Sequence, residues 1–180
     1  MKRLIIPSVT MTLLLVMALP AHAAPAPLLI SGTCQVNNRN AEFQNGQLTN
    51  YQFVQQSDTT FGVVGDLVGM CPLVDETGQP TGELVPFGPA QVTFTNAQVQ
   101  LDCFTHTFAI SAGGGAPTGT DVGNGVTVFN LSGGQTLTGT TKQQQKDICS
   151  TKAKLDKSPP TDVKSTATDV QLLNNLLADF

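Results

Sequence analysis

Residues 91–110, QVTFTNAQVQLDCFTHTFAI, decide the fold of this chain. Within residues 91–95 apolar and polar side chains alternate, which is the period of a strand with one buried face. Further along, the apolar positions change phase from Ala97, Val99, Leu101 and Cys103 to Phe104, Phe108 and Ile110. A regular strand cannot move its side chains to the other face. We therefore expect two strands separated by a bulge or a turn near Cys103.

Strand patterns continue on both sides of this stretch. Asn45 and Gly46 stand between two alternating segments, and Asn-Gly supplies the positive φ angles of a tight hairpin turn. Residues 126–131 and 135–141 resemble two further strands joined across a Gly-Gly turn. Short strands with regular turn signals predict an all-β, antiparallel fold, sandwich or barrel-like, rather than an α/β fold. We assign this β-rich domain to residues 24–141.

The C-terminal residues 142–180 differ in kind from the β-rich domain. Apart from Lys2, every lysine lies between Lys142 and Lys164. This segment is a Lys-rich neck, which Ser-Pro-Pro at 158–160 interrupts. From 162 to 180 apolar side chains recur at steps of three and four, which predicts an amphipathic C-terminal helix. We expect this helix to pack on the same domain. The alternative is that it docks on another chain, and the oligomeric state stays open.

Residues 1–23 have the features of a cleavable secretory signal peptide. A cationic start at Lys2 and Arg3 precedes the apolar residues 4–19, and a small-residue cleavage site ends at Ala23. The competing interpretation is a retained anchor, because the apolar run approaches the ~20 residues that cross a bilayer. Removal of 23 of the 180 residues leaves 157, with no later apolar segment long enough to span a membrane. The sequence therefore predicts a secreted or periplasmic protein.

The mature chain contains four cysteines, Cys34, Cys71, Cys103 and Cys149. An even number of cysteines in an exported chain predicts disulfides rather than free thiols. Three sets of two bonds are open to four cysteines, and we favour Cys34 with Cys71 and Cys103 with Cys149. Structural zinc sites use close pairs such as C-x-x-C. Gaps of 37, 32 and 46 residues offer no such pair, so no metal site is predicted.

Charge is segregated along the chain. Without Lys2 and Arg3 the mature part has seven basic and thirteen acidic residues, a net charge of −6, which argues against nucleic acid as a partner. No Lys or Arg occurs between Arg39 and Lys142, although acidic residues recur there. The basic neck can neutralise the acidic domain or bind an anionic surface. The partners that remain are a protein or a cell-surface polymer.

Few residues of the mature chain suit catalysis. His106 is the only histidine after residue 23, and Asp102 would lie about 13 Å from it along one strand, too far for a Ser-His-Asp site. Carboxylate pairs, either Glu83 with Asp102 or Asp75 beside Glu76, leave glycoside hydrolysis open. We predict no catalytic, cofactor-binding or metal-binding residue. The enzyme question stays open, and the balance favours a non-enzymatic role.

Three functions are compatible with these features. The first is an exported, non-enzymatic protein, a small disulfide-tied β domain that serves as a binding, surface or envelope component. The alternative is a secreted carboxylate-based hydrolase or lyase acting on polysaccharide, which requires two carboxylates within about 10 Å in one cleft. A further alternative is an inhibitor of a secreted enzyme, for which residues 75–82 would form an exposed, rigid loop.

Overall fold

The computed structural model describes residues 25–57, 60–102, 107–115, 118–138, 163–164 and 170–178. These residues form ten strands and one short helix. The elements are β1 (Leu28–Val36), β2 (Arg39–Glu42), β3 (Gln44–Gln55), β4 (Phe61–Val74), β5 (Pro80–Phe94), β6 (Gln98–Asp102), β7 (Thr107–Gly115), β8 (Thr120–Asp121), β9 (Thr127–Thr138), β10 (Val163–Lys164) and α1 (Val170–Leu177). All pairings among these strands are antiparallel, which confirms the predicted all-β, sandwich-like fold. The predicted signal peptide and most of the Lys-rich neck lie outside the described residues.

The strands follow the order β10-β6-β7-β9-β1-β3-β4-β5, with β2 beside β1 and β8 beside β9. The sheet curls, so that β5 meets the side formed by β7, β8 and β9. The Gly88 N–H donates to the Val122 carbonyl at 2.8 Å, and Thr95 Oγ1 donates to the Gly114 carbonyl at 3.0 Å. The buried faces of the strands therefore enclose one hydrophobic core.

A tight hairpin joins β1 to β2 at Asn37 and Asn38. Both residues have positive φ, 51° and 62°, as a two-residue type I′ turn requires. On the same side, β1 also pairs with β3, where Leu28 of β1 lies opposite Leu48 of β3. β2 and the start of β3 thus form one long, interrupted partner of β1.

The hairpin turn predicted at Asn45 and Gly46 is therefore wrong. This dipeptide is a bulge near the start of β3, where Asn45 has a φ of 54° and the register with β4 shifts. At Gly46 the backbone of β1 approaches so closely that a Cβ atom would lie 2.3 Å from the Ile30 carbonyl oxygen. A turn and a bulge both need positive φ, so the Asn-Gly signal fits either structure.

The turn predicted at Gly133 and Gly134 is also wrong, because β9 runs through both residues without a break. β9 lies in the interior of the sheet, between β1 and β7. A Cβ atom would lie 2.1 Å from the Leu29 carbonyl oxygen at Gly133, and 2.2 Å from the Ile110 carbonyl oxygen at Gly134. The two glycines allow both neighbouring strands to approach this part of β9.

Residues 91–110 span the end of β5, all of β6 and the start of β7. Their alternation follows burial as predicted, with buried side chains at Val92, Phe94, Val99, Phe108 and Ile110. β6 and β7 pair with each other, Asp102 opposite Thr107, so the change of phase marks a reversal of the chain. Residues 103–106, which include Cys103 and His106, lie outside the described part.

A disulfide joins Cys34 of β1 to Cys71 of β4, the pairing favoured from the sequence. Both cysteines are fully buried. β1 and β4 are not adjacent in the strand order, because β3 lies between them. The bond therefore connects two strands that backbone hydrogen bonds do not join. Cys103 and Cys149 are outside the described residues, so their pairing stays a prediction.

The C-terminal helix is present but shorter than predicted, since α1 begins at Val170. Leu173 and Leu177 are buried, while Asn174 bonds to the backbone of β3. Residues 163–164 lie inside the predicted helix yet form β10, which pairs with β6. The extended backbone of residues 163–164 pairs with the N–H and C=O groups at the open edge of β6, which a helix could not do.

Candidate binding surfaces

The most exposed part of the described chain is the hairpin between β4 and β5. Every residue from 75 to 84 is exposed, whereas no residue of β4 is exposed, and after residue 84 β5 returns to an alternation that includes the buried Phe87, Val92 and Phe94. The hairpin stays paired near its base, where Pro72 lies opposite Leu84 and Cys71 opposite Val85. We call residues 72–86 the arm.

The tip of the arm is braced by one carboxylate. Asp75 Oδ1 accepts hydrogen bonds from the Thr77 N–H at 2.8 Å, the Thr77 hydroxyl at 2.7 Å and the Gln79 N–H at 3.0 Å. Backbone bonds from Asp75 N–H to Gln79 O and from Gly78 N–H to Asp75 O close the same turn. These bonds hold the exposed tip in one conformation.

The hydrogen bonds at the tip favour the charged form of Asp75. The Thr77 hydroxyl is the largest cause that lowers the pKa of Asp75, followed by the backbone N–H groups of Gln79 and Thr77 and, weakly, by the charge of Arg39. Asp75 therefore stays ionised, and the tip stays braced, well below neutral pH.

The surface of the arm combines acidic and apolar groups. Asp75, Glu76 and Glu83 are exposed, and Leu84 has 45 % of its surface accessible. Among the described residues, Leu84 and Leu29 of β1 are the two exposed large apolar side chains, and Leu84 is the one that lies beside a carboxylate of the arm. The arm is also fixed at its base, because Cys71 is bonded to Cys34.

A second surface is a shallow groove on the outer face of β6, β7 and β9. Its volume is about 370 Å³. The residues with described side chains that line it are Gln98, Gln100, Ala109, Ile110, Ser111, Gly134, Gln135 and Thr136. A smaller cavity of about 230 Å³ lies on β1 and β2, beside Ser31, Thr33 and Glu42.

Asp75, Glu76 and Glu83, which were considered for catalysis, are not among the described residues that line either cavity. Glu83, Asp75 and Glu76 lie on the arm, and Asp102 ends β6, near the opposite end of the strand order. Within the described ranges no three His, Cys, Asp or Glu side chains are grouped as a metal site would require. His106 is outside these ranges. None of the described helices is long and apolar enough to cross a membrane.

Sequence reasoning anticipated the arm but not the groove. Asp, Gly and Pro at residues 75–80 indicate a loop locally. The groove depends on Gln98, Ser111 and Gly134 falling into one row across three strands, which only the strand register determines.

Comparison of this chain with protein-family models, with curated proteins and with solved structures gives no match.

Proposed function

We propose that this chain is an exported, non-enzymatic binding domain that contacts a partner protein through the arm. The signal-like residues 1–23 and the Cys34–Cys71 disulfide support export, because disulfides persist in oxidising compartments. The exposed, braced arm supports the binding role. Glu83 is exposed on the arm and is not among the described residues that line either cavity, so its position does not support the hydrolase alternative.

The observation that carries the proposal is an exposed stretch held in a single shape. Residues 75–84 bury little surface, so they contribute little to the core. The tip is nevertheless fixed by three bonds to Asp75. A surface that is ordered before it meets a partner loses less conformational entropy on binding. A surface that is ordered although it is not buried is better explained by recognition of a partner than by folding of the domain.

The side chains of the arm define the partner surface that would suit it. Leu84 supplies an apolar anchor near the base of the arm, its sequence neighbour Glu83 carries negative charge, and Glu76 adds a second carboxylate at the tip. Interfaces commonly bury an apolar centre inside a polar rim. The complementary surface is an apolar pocket with Lys or Arg at its edge.

In vivo photo-crosslinking tests the role of the arm. A photoreactive amino acid is placed at position 84 and, as the control, at position 52, which is exposed on β3 away from the arm. We expect one discrete crosslinked species from position 84 and none from position 52. Crosslinks of equal yield from both positions, or none from position 84, would contradict the proposal.

Inhibition of a secreted enzyme is a second candidate, because the rigidity expected of such a loop is present at the tip. The species crosslinked at position 84 distinguishes the two roles. If it is an enzyme whose activity the purified domain blocks, the arm is inhibitory. If its activity is unaffected, or it has none, simple binding is the role.

A further inference from the structure

The dipeptide Asn-Gly occurs twice in the chain, at residues 45–46 and 124–125. An asparagine loses its side-chain amide when the backbone nitrogen of the next residue attacks its side-chain carbonyl carbon. Glycine favours this reaction because it has no side chain to hinder its own nitrogen. Access to that nitrogen differs between the two dipeptides, since Gly46 is buried whereas Gly125 is exposed.

The dipeptide at residues 45–46 is held inside the sheet. Gly46 lies so close to β1 and to the Phe43 ring that an added Cβ atom would overlap the Ile30 carbonyl oxygen. The Gly46 nitrogen can therefore reach the Asn45 side chain only when this part of the sheet opens, which is costly in the interior of a fold. The sheet thus protects Asn45 from loss of its amide.

The dipeptide at residues 124–125 forms the turn between β8 and β9. Asn124 has a φ of 54° and Gly125 a φ of 73°, as a two-residue type I′ turn requires. A hydrogen bond from the Val126 N–H to the Gly123 carbonyl, at 3.0 Å, closes the turn. Apart from its chain neighbours, no heavy atom lies within 4 Å of the position that a Cβ atom would take at Gly125. The Gly125 nitrogen can therefore rotate toward Asn124 without displacing another residue.

The Asn124 side chain also ties this turn to β5. Its Nδ2 donates to the Pro86 carbonyl at 2.8 Å, and the Val122 carbonyl accepts from the Gly88 N–H at 2.8 Å. Because Pro86 is the last residue of the arm, these two bonds join the turn to the base of the arm. The first bond requires an amide, since a carboxylate has no hydrogen to donate.

We propose that Asn124 is a site of spontaneous deamidation, and that the reaction releases the turn from β5. The Gly125 nitrogen bonds to Cγ of Asn124, and Nδ2 leaves as ammonia with the proton of the Gly125 N–H. Water then opens the resulting succinimide ring at either carbonyl, which gives aspartate or isoaspartate. Both products lack the Nδ2 donor, and their new negative charge is repelled by the Pro86 carbonyl oxygen. The proposal does not require that the arm bind a partner.

Ageing of the purified wild-type protein in mildly alkaline buffer tests the site. Peptide mapping by mass spectrometry measures conversion of each asparagine to the acid, and isoaspartate-specific methylation identifies the rearranged product. We expect conversion at Asn124 to be at least about tenfold faster than at Asn45, because an exposed turn opens more readily than a sheet interior. Equal conversion at the two positions, or none at Asn124, would overturn the proposal.

The variant Asn124→Asp reproduces one product and tests the consequence for β5. We expect the Gly88 amide, which lies next to the lost bond, to exchange with solvent at least about tenfold faster than in the wild type. Asn45→Asp is the matched control, and it should leave exchange at Gly88 unchanged. If Asn124→Asp and the wild type exchange at the same rate, the Asn124 side chain does not hold the turn to β5 and the proposed release is wrong.

Discussion

At the scale of single residues, asparagine sets the bends of this sheet. Each non-glycine residue with positive φ in the described chain is an asparagine, at positions 37, 38, 45, 50, 96, 124 and 130. Asparagine tolerates the left-handed region because its short polar side chain bonds locally. Turns at positions 37 and 38 and bulges at 45, 50 and 130 use the same conformation. Local sequence can thus predict where the chain bends, but not whether the bend is a turn.

Substitution of Asn45 tests this role. Its side chain makes no hydrogen bond to described residues, so Asn45→Ala removes little except tolerance of a φ of 54°. We expect Asn45→Ala to lower the free energy of unfolding by about 1 kcal/mol. Asn45→Gly should change the free energy of unfolding by only a few tenths of about 1 kcal/mol. Equal destabilisation by both, measured by urea unfolding, would contradict a conformational role.

Tyr51 is the only tyrosine of the chain, and the chain has no tryptophan, so phenolate absorbance at 295 nm reports this residue alone. Its hydroxyl donates to the Ala26 carbonyl at 3.0 Å, and burial raises its pKa to about 12. The unfolded chain has the ordinary pKa near 10 and releases the proton first as pH rises. The stabilisation that the folded state gains by keeping Tyr51 protonated is complete below pH 10 and is lost as pH rises toward 12.

The expected loss between pH 10 and pH 12 is about 2 kcal/mol. Urea unfolding at each pH measures it, and Tyr51→Phe provides the control because it has no group to titrate. Titration of Tyr51 with a pKa near 10 in the folded protein would contradict this expectation. The expectation is also contradicted if Tyr51→Phe loses as much stability over this range as the wild type.

At the scale of elements, the open edge of β3 explains why a short helix docks there. β1 begins at Leu28 because Pro27 has no N–H to continue the pairing. Beyond Leu48, β3 thus lacks a strand on that side. The Asn174 side chain takes the place of the missing strand. Its Oδ1 accepts a hydrogen bond from the Phe53 N–H at 2.7 Å, and its Nδ2 donates one to the Phe53 carbonyl at 3.0 Å.

Asn174→Ala should remove the partner of the Phe53 backbone. We expect the free energy of unfolding to fall by about 1 kcal/mol, the net value of such bonds, and the Phe53 amide to exchange with solvent at least tenfold faster. Asn175→Ala is the matched control, since Asn175 is exposed on the same helix. Identical exchange rates at Phe53 in the two variants would show that the helix does not cover this edge.

At the scale of the whole molecule, the strands were predictable because side-chain alternation is local. The reversal between β6 and β7 also left a local mark, the change of apolar phase. Gly133 and Gly134 could not be interpreted in this way, since their meaning depends on β1 and β7 lying on either side of β9. The groove was missed for the same reason. Register between distant strands is a property of the fold and not of any short stretch.

The Cys34–Cys71 disulfide closes a loop with a sequence separation of 37 residues. In the chain-entropy model such a loop stabilises the folded state by about 4 kcal/mol. We expect the double variant Cys34→Ala/Cys71→Ala to lose about that much in urea unfolding, with Cys103 and Cys149 left in place. A midpoint unchanged from the wild type would show that the bond does not stabilise the domain.

The central claim, that the arm serves binding rather than folding, is tested most directly by the double variant Glu83→Lys/Leu84→Ala. The Kd for the partner captured at position 84 and the Tm of the free domain are measured for variant and wild type. We expect a Kd at least about tenfold weaker, with the Tm within about 2 °C because exposed substitutions change stability little. An unchanged Kd, or a Tm that falls together with the affinity, would contradict the claim.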